Sequence, residues 1–244
     1  MPTAAAPTPV AAAPAAPTAP TAPPPPATVT DGIETVRGQR LTLHFEAARC
    51  IHSRHCVLST PEVFLANVKG DWIYPDAVPI DEVTAVAHAC PSGAITYERH
   101  DDEPGEQVPR VNALRLRENG PLAITADLRV AGRPAAIRAT LCRCGASQHK
   151  PYCDGSHNAA EFRATGEPAT GDTTPLAARG GPLSVEAMEN GPLLVTGNLE
   201  ICAGTGRTIT RVTSARLCRC GGSSTKPLCD GTHAKNGFRA PAVG

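Results

Sequence analysis

The chain has 244 residues, with 23 Lys and Arg against 23 Asp and Glu, and so no formal net charge at neutral pH. A neutral chain without a basic block has no electrostatic reason to bind nucleic acid or an anionic membrane, and no apolar run reaches the roughly 18 residues that span a bilayer. Aromatic residues make up 3% of the chain while cysteines number ten, so the small units this length allows are expected to rely on metals or staples more than on large apolar cores.

The first thirty residues contain only Ala, Pro, Thr, Val and the initiator Met. Such proline density forbids a helix and favours an extended, solvated chain, so residues 1–38 are predicted as a disordered tail. The segment lacks the positive n-region of a secretory signal and the arginines of a mitochondrial presequence. The expected compartment is therefore a reducing cytoplasm, where clustered cysteines serve as metal ligands more often than as disulfides.

Residues 39–102 read as a small α+β module. "RLTLHFEAARC" alternates enough for a strand that leads into a cysteine loop. "PEVFLANVKGDWIYPDAVP" predicts short strands and turns around Gly70-Asp71 and Pro75-Asp76. In "IDEVTAVAHAC" the spacing of Val83, Val86 and Ala87 predicts a helix with Asp81 as its cap, and "PSGAITYERH" returns as a strand. Three cysteines punctuate the module: Cys50, Cys56 and the Cys90-Pro91 pair. Bacterial ferredoxins space their ligands C-x2-C-x2-C with a distant C-P. With the phrases "CIH", "PEVF" and "CPSGAI", residues 39–100 resemble the divergent mono-cluster 4Fe–4S ferredoxin-like domain. The resemblance implies a cluster on Cys50, Cys56 and Cys90. Ser53 stands where the second cysteine belongs, so the group implied is a 3Fe–4S cluster or a 4Fe–4S cluster with a non-Cys fourth ligand. Ser53 is in register; His52 and His55 are not, and read as loop residues.

After a polar linker, "HDDEPGEQVPR", the chain repeats itself. "ENGPLAITADLRV" at Glu118 is answered by "ENGPLLVTGNLEI" at Glu189, and "LCRCGASQHKPYCDGSH" by "LCRCGGSSTKPLCDGTH". The copies are bounded at 108–168 and 181–244, with "GEPATGDTTPLAARGG" as a flexible connector. Each loop offers three thiols and one imidazole: Cys142, Cys144, Cys153 and His157, then Cys218, Cys220, Cys229 and His233. A disulfide framework, zinc and a redox cofactor all use such donors. Cys-x-Cys sets two thiols close enough to share one iron, whereas zinc knuckles tend to space theirs by two or more residues. Gly145, Gly155, Gly221 and Gly231 suit close backbone approach. Asp154 and Asp230 are expected to cap the next turn, and Ser147 and Ser223 to hydrogen-bond the loop. Cys202 has no partner in the first copy and reads as a buried or free thiol in an inserted loop.

At these residues both copies resemble the CDGSH iron–sulfur family, to which the mitoNEET proteins belong, matching C-x-C-x2-(S/T)-x3-P-x-C-D-G-(S/A/T)-H at every position. The resemblance implies one 2Fe–2S cluster per motif on three Cys and one His, in a β-rich fold. Two motifs in one chain then imply an intramolecular pseudo-dimer, a monomer with an internal two-fold. Electron transfer between a reductase and an acceptor is the function expected, without catalytic turnover. The alternative is storage or transfer of clusters to apo iron–sulfur proteins, or redox and pH sensing through labile His-ligated clusters. An imidazole in place of a thiolate makes a cluster less negative and raises its potential, and ties its retention to pH.

Overall fold

The computed structural model describes residues 26–130, 133 and 135–242. Its first sheet opens with β1 (Thr28–Thr30), β2 (Ile33–Arg37) and β3 (Leu41–Glu46), an antiparallel meander. Asp31 and Gly32 form the turn between β1 and β2, with φ of 52° and 77°, as an Asp-Gly hairpin requires. The tail expected over 1–38 is therefore corrected at residues 28–37. The prolines stop at Pro26, and β-branched residues such as Thr28, Val29, Ile33, Thr35 and Val36 then favour the pleated form. Residues 1–25 of that expectation lie outside the described residues.

A short helix α1 (His55–Ser59), absent from the sequence reading, holds Cys56. Helix α2 (Ile80–Ala89) follows a single bridge between Phe64 and Ile73, and β4 (Ile95–Arg99) closes the sheet in the order β1-β2-β3-β4. The helix forms where the sequence predicts it, burying Ile80, Val83, Val86 and Ala87. Its cap does not: Pro79 holds the N-cap position with no side-chain bond, and Asp81 lies inside the first turn, where its charge meets the positive end of the helix dipole. Val36, Leu41, Leu43, Phe64, Ile73 and Ile95 join the helix in one core. Trp72 seals its edge, T-shaped against Phe45 at 4.9 Å and donating its indole N–H to Glu34 at 3.1 Å.

The repeat forms six strands: β5 (Ala113–Leu116), β6 (Leu122–Val130), β7 (Ala136–Leu141), β8 (Pro182–Ala187), β9 (Leu193–Cys202) and β10 (Thr208–Leu217). Strict alternation in "LAITADLRV" buries every second residue of β6. Strand β5 pairs antiparallel with β6 of its own copy and parallel with β9 of the other. Strand β8 does the reverse, antiparallel with β9 and parallel with β6. The four strands thus close a ring, with β7 and β10 as outer wings on β6 and β9. The two copies, bounded at 108–168 and 181–244, thus share one six-stranded sheet. Each short first strand is covered on both edges only by lying between the two hairpins. The core shared by the copies includes Leu114, Ile124, Leu128, Leu183, Val195, Leu199 and Ile201.

The connector is also firmer than its composition suggests. Gly171 donates to Ile209, Arg211 to Asp172, and Asn112 to the Arg179 carbonyl, while the Arg179 side chain pairs with buried Glu200 at 2.6 Å. Cys202, expected in a loop, ends β9 and is buried and unpaired. Among the described residues no helix is long and apolar enough to cross a membrane.

Candidate metal centres

Both cysteine loops grow out of a strand end. Strand β7 delivers Cys142 and β10 delivers Cys218. Each loop then folds back on its own strand: Cys142 donates to Pro151 at 2.8 Å and Cys153 to Thr140 at 2.9 Å, while Cys218 donates to Pro227 at 2.8 Å and Cys229 to Arg216 at 2.9 Å. This return brings the donors together in pairs. Cys142 and Cys144 Sγ are 3.7 Å apart, and Cys153 Sγ lies 3.4 Å from His157 Nδ1. In the second copy the distances are 3.9 Å for Cys218–Cys220 and 3.3 Å for Cys229–His233 Nδ1. A disulfide needs about 2.0 Å, and all ten cysteines are free thiols, which removes the framework reading.

The backbone aims at the sulfurs. Ala146 and Gly155 donate N–H to Cys144 and Cys153, and Gly222 and Gly231 to Cys220 and Cys229, each at 3.4 Å. Gly155 and Gly231 hold φ of 86° and 87°, a conformation that a Cβ would strain. The loop is tied by the residues that the sequence singles out. Asp154 accepts from Ser156 and, across the loop, from Gln148; Asp230 accepts from Thr232 and Ser224 in the same way. Ser147 and Ser223 donate to the carbonyls of Tyr152 and Leu228, both at 2.7 Å.

Sequence reasoning passed over the residue between the first two cysteines. Arg143 and Arg219 are 1% and 0% exposed. Arg143 donates to the carbonyls of Arg117, Gly120, Ala164 and Thr165, and its guanidinium lies 5.5 Å from the Phe162 ring centroid. Arg219 donates to Met188 and Pro241 and lies 5.6 Å from the ring of Phe238. The signal was present: "CRC" and "FRA" recur together in both copies. Burial lowers the pKa of both arginines; Glu118 and then the Cys218 and Cys144 thiols oppose it at Arg143, and Cys142 opposes it at Arg219. Each guanidinium thus senses a thiol of the opposite copy.

The thiols themselves are strongly perturbed. Cys142 and Cys144 share a hydrogen bond that pulls Cys142 down and holds Cys144 up, so one thiolate forms readily and the second resists. Burial pushes Cys153 up to about 11 and raises Cys218. Burial lowers His157, with Asp154 opposing and Arg143 assisting, so the ligating neutral imidazole is the favoured form.

The two loops meet back to back. A Cβ on Gly145 would stand 2.8 Å from the Cys220 carbonyl oxygen, and one on Gly221 would stand 2.4 Å from that of Cys144. Only glycine lets a ligand-bearing backbone approach that closely, and the reciprocity brings the two donor sets side by side.

In the first module Cys50, Cys56 and Cys90 line one small cleft with Phe45, Val86 and Ile95. Burial raises Cys50 and Cys56, and nearby Cys90 adds to both shifts. The His52 N–H donates to Cys50 Sγ at 3.4 Å. Ser53 and His55 reach the cleft, and Ser92, unnoticed in the sequence, does so 3.7 Å from Cys90. Arg54, with φ of 61°, and His52, with φ of 54°, flank Ser53, a costly arrangement for residues with a Cβ.

The donor chemistry fits iron–sulfur groups: soft thiolates in close pairs, amide N–H groups directed at sulfur, and a buried cation beside each set. Among the described residues no three such side chains converge as on a single ion. Residues 119–158 and 190–234 match the family described as "Iron-binding zinc finger CDGSH type", and residues 36–100 match "Divergent 4Fe-4S mono-cluster". The chain is similar to "Uncharacterized protein YjdI" of Escherichia coli strain K12, 36% identical over 74 residues, which is 30% of this chain and 95% of the relative. The protein of the same name from Escherichia coli O157:H7 matches equally. No solved structure matches.

Proposed function

The chain belongs to the CDGSH iron-binding family and carries a divergent 4Fe–4S mono-cluster domain ahead of two such motifs, and from that premise we propose that this iron–sulfur protein is an electron carrier. In this reading Cys142, Cys144, Cys153 and His157 hold one 2Fe–2S cluster, and Cys218, Cys220, Cys229 and His233 a second. Cys50, Cys56 and Cys90 hold a 3Fe–4S or 4Fe–4S cluster. The interleaved ring is read as an intramolecular pseudo-dimer, monomeric in solution, that serves a reductase and an acceptor without substrate turnover.

The observation that carries the reading is the back-to-back contact of Gly145 with Cys220 and of Gly221 with Cys144. It supports the reading because the two donor sets share one rigid wall, as suits a carrier more than a structural metal. Bound clusters would supply reversible one-electron chemistry. The protein's part is to hold them. The amide donors to sulfur stabilise the reduced charge, and Arg143 and Arg219 offset thiolate charge in a buried setting.

Anaerobic purification with iron, sulfide and zinc analysis, followed by EPR before and after reduction, tests this. Sulfide with iron, both beyond what two 2Fe–2S clusters hold, with reversible signals and full retention, is expected; equal iron and sulfide selects 4Fe–4S in the first module, and about one iron fewer than sulfide selects 3Fe–4S. Zinc without sulfide would overturn the reading. A second reading, cluster delivery, is favoured by the partial exposure of His157, His233 and Cys229. Prompt transfer to an apo-ferredoxin on oxidation would select it.

A further inference from the structure

Arg138 lies on β7, four residues before Cys142, and reaches into the first module. Its Nε–H donates to the carbonyl of Cys90 and one terminal nitrogen to that of Ala87, both at 2.9 Å. These carbonyls end α2; Ala87 also accepts from the Cys90 N–H and Cys90 from the Gly93 N–H, and the negative end of the helix dipole welcomes a cation there. Glu106, in the linker, clamps the same guanidinium from the other side. Arg49, the residue before Cys50, makes the return contact. It donates to the carbonyls of Ser92 and Arg138, and its guanidinium lies 5.4 Å from the ring centroid of Tyr152, the residue before Cys153. Gly93 closes the seam, since a Cβ there would meet the Arg138 carbonyl at 2.7 Å. Two short paths therefore join the donor sets: a hydrogen-bonded one from Cys90 to Arg138 and along β7 to Cys142, and one from Cys50 through Arg49 that crosses the cation–π contact to Tyr152 and Cys153.

The second copy has none of this. Four residues before Cys218 stands exposed Ser214, and the residue before Cys229 is Leu228. Among the described residues, every hydrogen bond, ion pair and cation–π contact that residues 26–100 make outside themselves goes to the linker or to the first copy.

We propose that Arg49 and Arg138 make the first module a built-in redox partner of the first CDGSH site alone, so that electrons pass between the Cys50–Cys56–Cys90 site and the Cys142–His157 site before the second. The proposal rests on the electron-carrier reading and adds an order to it. With clusters bound, one electron would leave the group held by Cys50, Cys56 and Cys90 and be taken up by the group held by Cys142, Cys144, Cys153 and His157. No atom is transferred, and an external one-electron donor such as dithionite supplies the charge. Hydrogen bonds and covalent links couple sites better than a solvent gap.

The test is EPR on the full chain, reconstituted and reduced with dithionite. A paramagnetic neighbour should speed relaxation of the N-terminal signal. Cys153→Ala, which removes the first CDGSH cluster, is expected to abolish that enhancement, and Cys229→Ala to leave it. Equal behaviour of the two variants, or loss only in Cys229→Ala, overturns the proposal. Should Cys153→Ala disturb folding, Arg138→Ala keeps every ligand. After sub-stoichiometric reduction it is expected to slow electron exchange between the N-terminal and CDGSH signals, with Ser214→Ala as the control. Unchanged exchange in Arg138→Ala overturns the proposal as well. A chain that shows the asymmetric coupling yet delivers electrons to no acceptor would remove the carrier function and leave the wiring in place.

Discussion

Tyr152 and Leu228 occupy the same place, one residue before the third cysteine of each loop, yet Tyr152 is 4% exposed and Leu228 40%. The contrast extends along the loop. Cys153 is buried and Cys229 partly open; Asp154 is half-buried and Asp230 exposed. The ligand pairs themselves match to within 0.2 Å at Cys142–Cys144 (3.7 Å) and Cys218–Cys220 (3.9 Å). Near-identical local sequence thus sets donor geometry, while the first module, seated on one copy only, sets the environment. Two sites with the same ligands are expected to differ in robustness and in access to solvent.

The largest expected difference lies in the buried arginines. Arg143 satisfies four carbonyls, whereas Arg219 satisfies two and leaves its own Nε without a partner. Backbone N–H groups also reach the carbonyls of Arg117, Ala164 and Met188, so Arg143→Ala strips the side-chain partner from Gly120 and Thr165 and Arg219→Ala from Pro241; at about 1–3 kcal/mol for each buried carbonyl left unsatisfied, Arg143→Ala should destabilise the chain by more than Arg219→Ala. Urea unfolding of both variants measures this. Equal losses would mean that the two copies are energetically equivalent despite their different contacts.

These arginines also show where the sequence was legible and where it was not. The donor residues, the loop serines and aspartates, and the positive-φ glycines all follow from local spacing, because a short loop constrains its own geometry. Helix α2 and strands β3 and β4 were equally legible from apolar periodicity. The partners of Arg143 lie at Arg117, Gly120, Ala164 and Thr165, remote in sequence, and no local pattern names them. The exchange of β5 and β8 between hairpins escaped for the same reason, since a short strand's own sequence does not say which edge it covers. The Asp31-Gly32 turn was readable but stood beside a proline tract whose composition dominated. Cys50, Cys56 and Cys90 were singled out by their spacing together with the family resemblance, while Ser92, two residues past Cys90, was not.

Acid stability sharpens the comparison next. A ligand imidazole must lose its bond to take a proton, so cluster release should accelerate up to about tenfold per pH unit of acidification while pH stays above the pKa of the ligated imidazole, and level off below it. In the fold His157 is held below the ordinary histidine range, chiefly by burial. The sign follows: neutral, ligating imidazole is favoured at neutral pH, and the first site should resist acid until pH falls below that range. The second site, with Cys229 more open, should bleach first. Visible absorbance after pH jumps should show two phases, with His233→Cys removing the faster and His157→Cys the slower. One phase, or lability unchanged in the double variant, would contradict this.

A smaller effect comes from exchanging the residues at the covered position. Tyr152→Leu copies the second loop into the first and removes the ring beneath Arg49, a contact worth about 0.5–2 kcal/mol. Leu228→Tyr adds a ring where no module waits. The first substitution should raise hydrogen exchange along β7 and at Gly93 and lower the urea midpoint slightly; the second should change neither. A comparable loss from both would place the cost in the loop itself rather than in the cover.

The smallest difference separates the two loop aspartates in acid. Against the opposing effect of burial, hydrogen bonds from Ser156 and Gln148 hold Asp154 down to about 2. The Thr232 hydroxyl, with the Ser224 amide, holds exposed Asp230 well below the usual carboxylate range. A carboxylate with a depressed folded pKa contributes order that is complete above its unfolded value and is lost as pH falls through the folded one. In the cluster-free chain the Gln148 amide resonance should therefore shift as pH falls from about 4 towards 2, while that of Ser224 holds to lower pH. Asp154→Asn should flatten the Gln148 titration and leave Ser224 unchanged. Coincident titrations would show that the module's cover does not reach the loop's carboxylate.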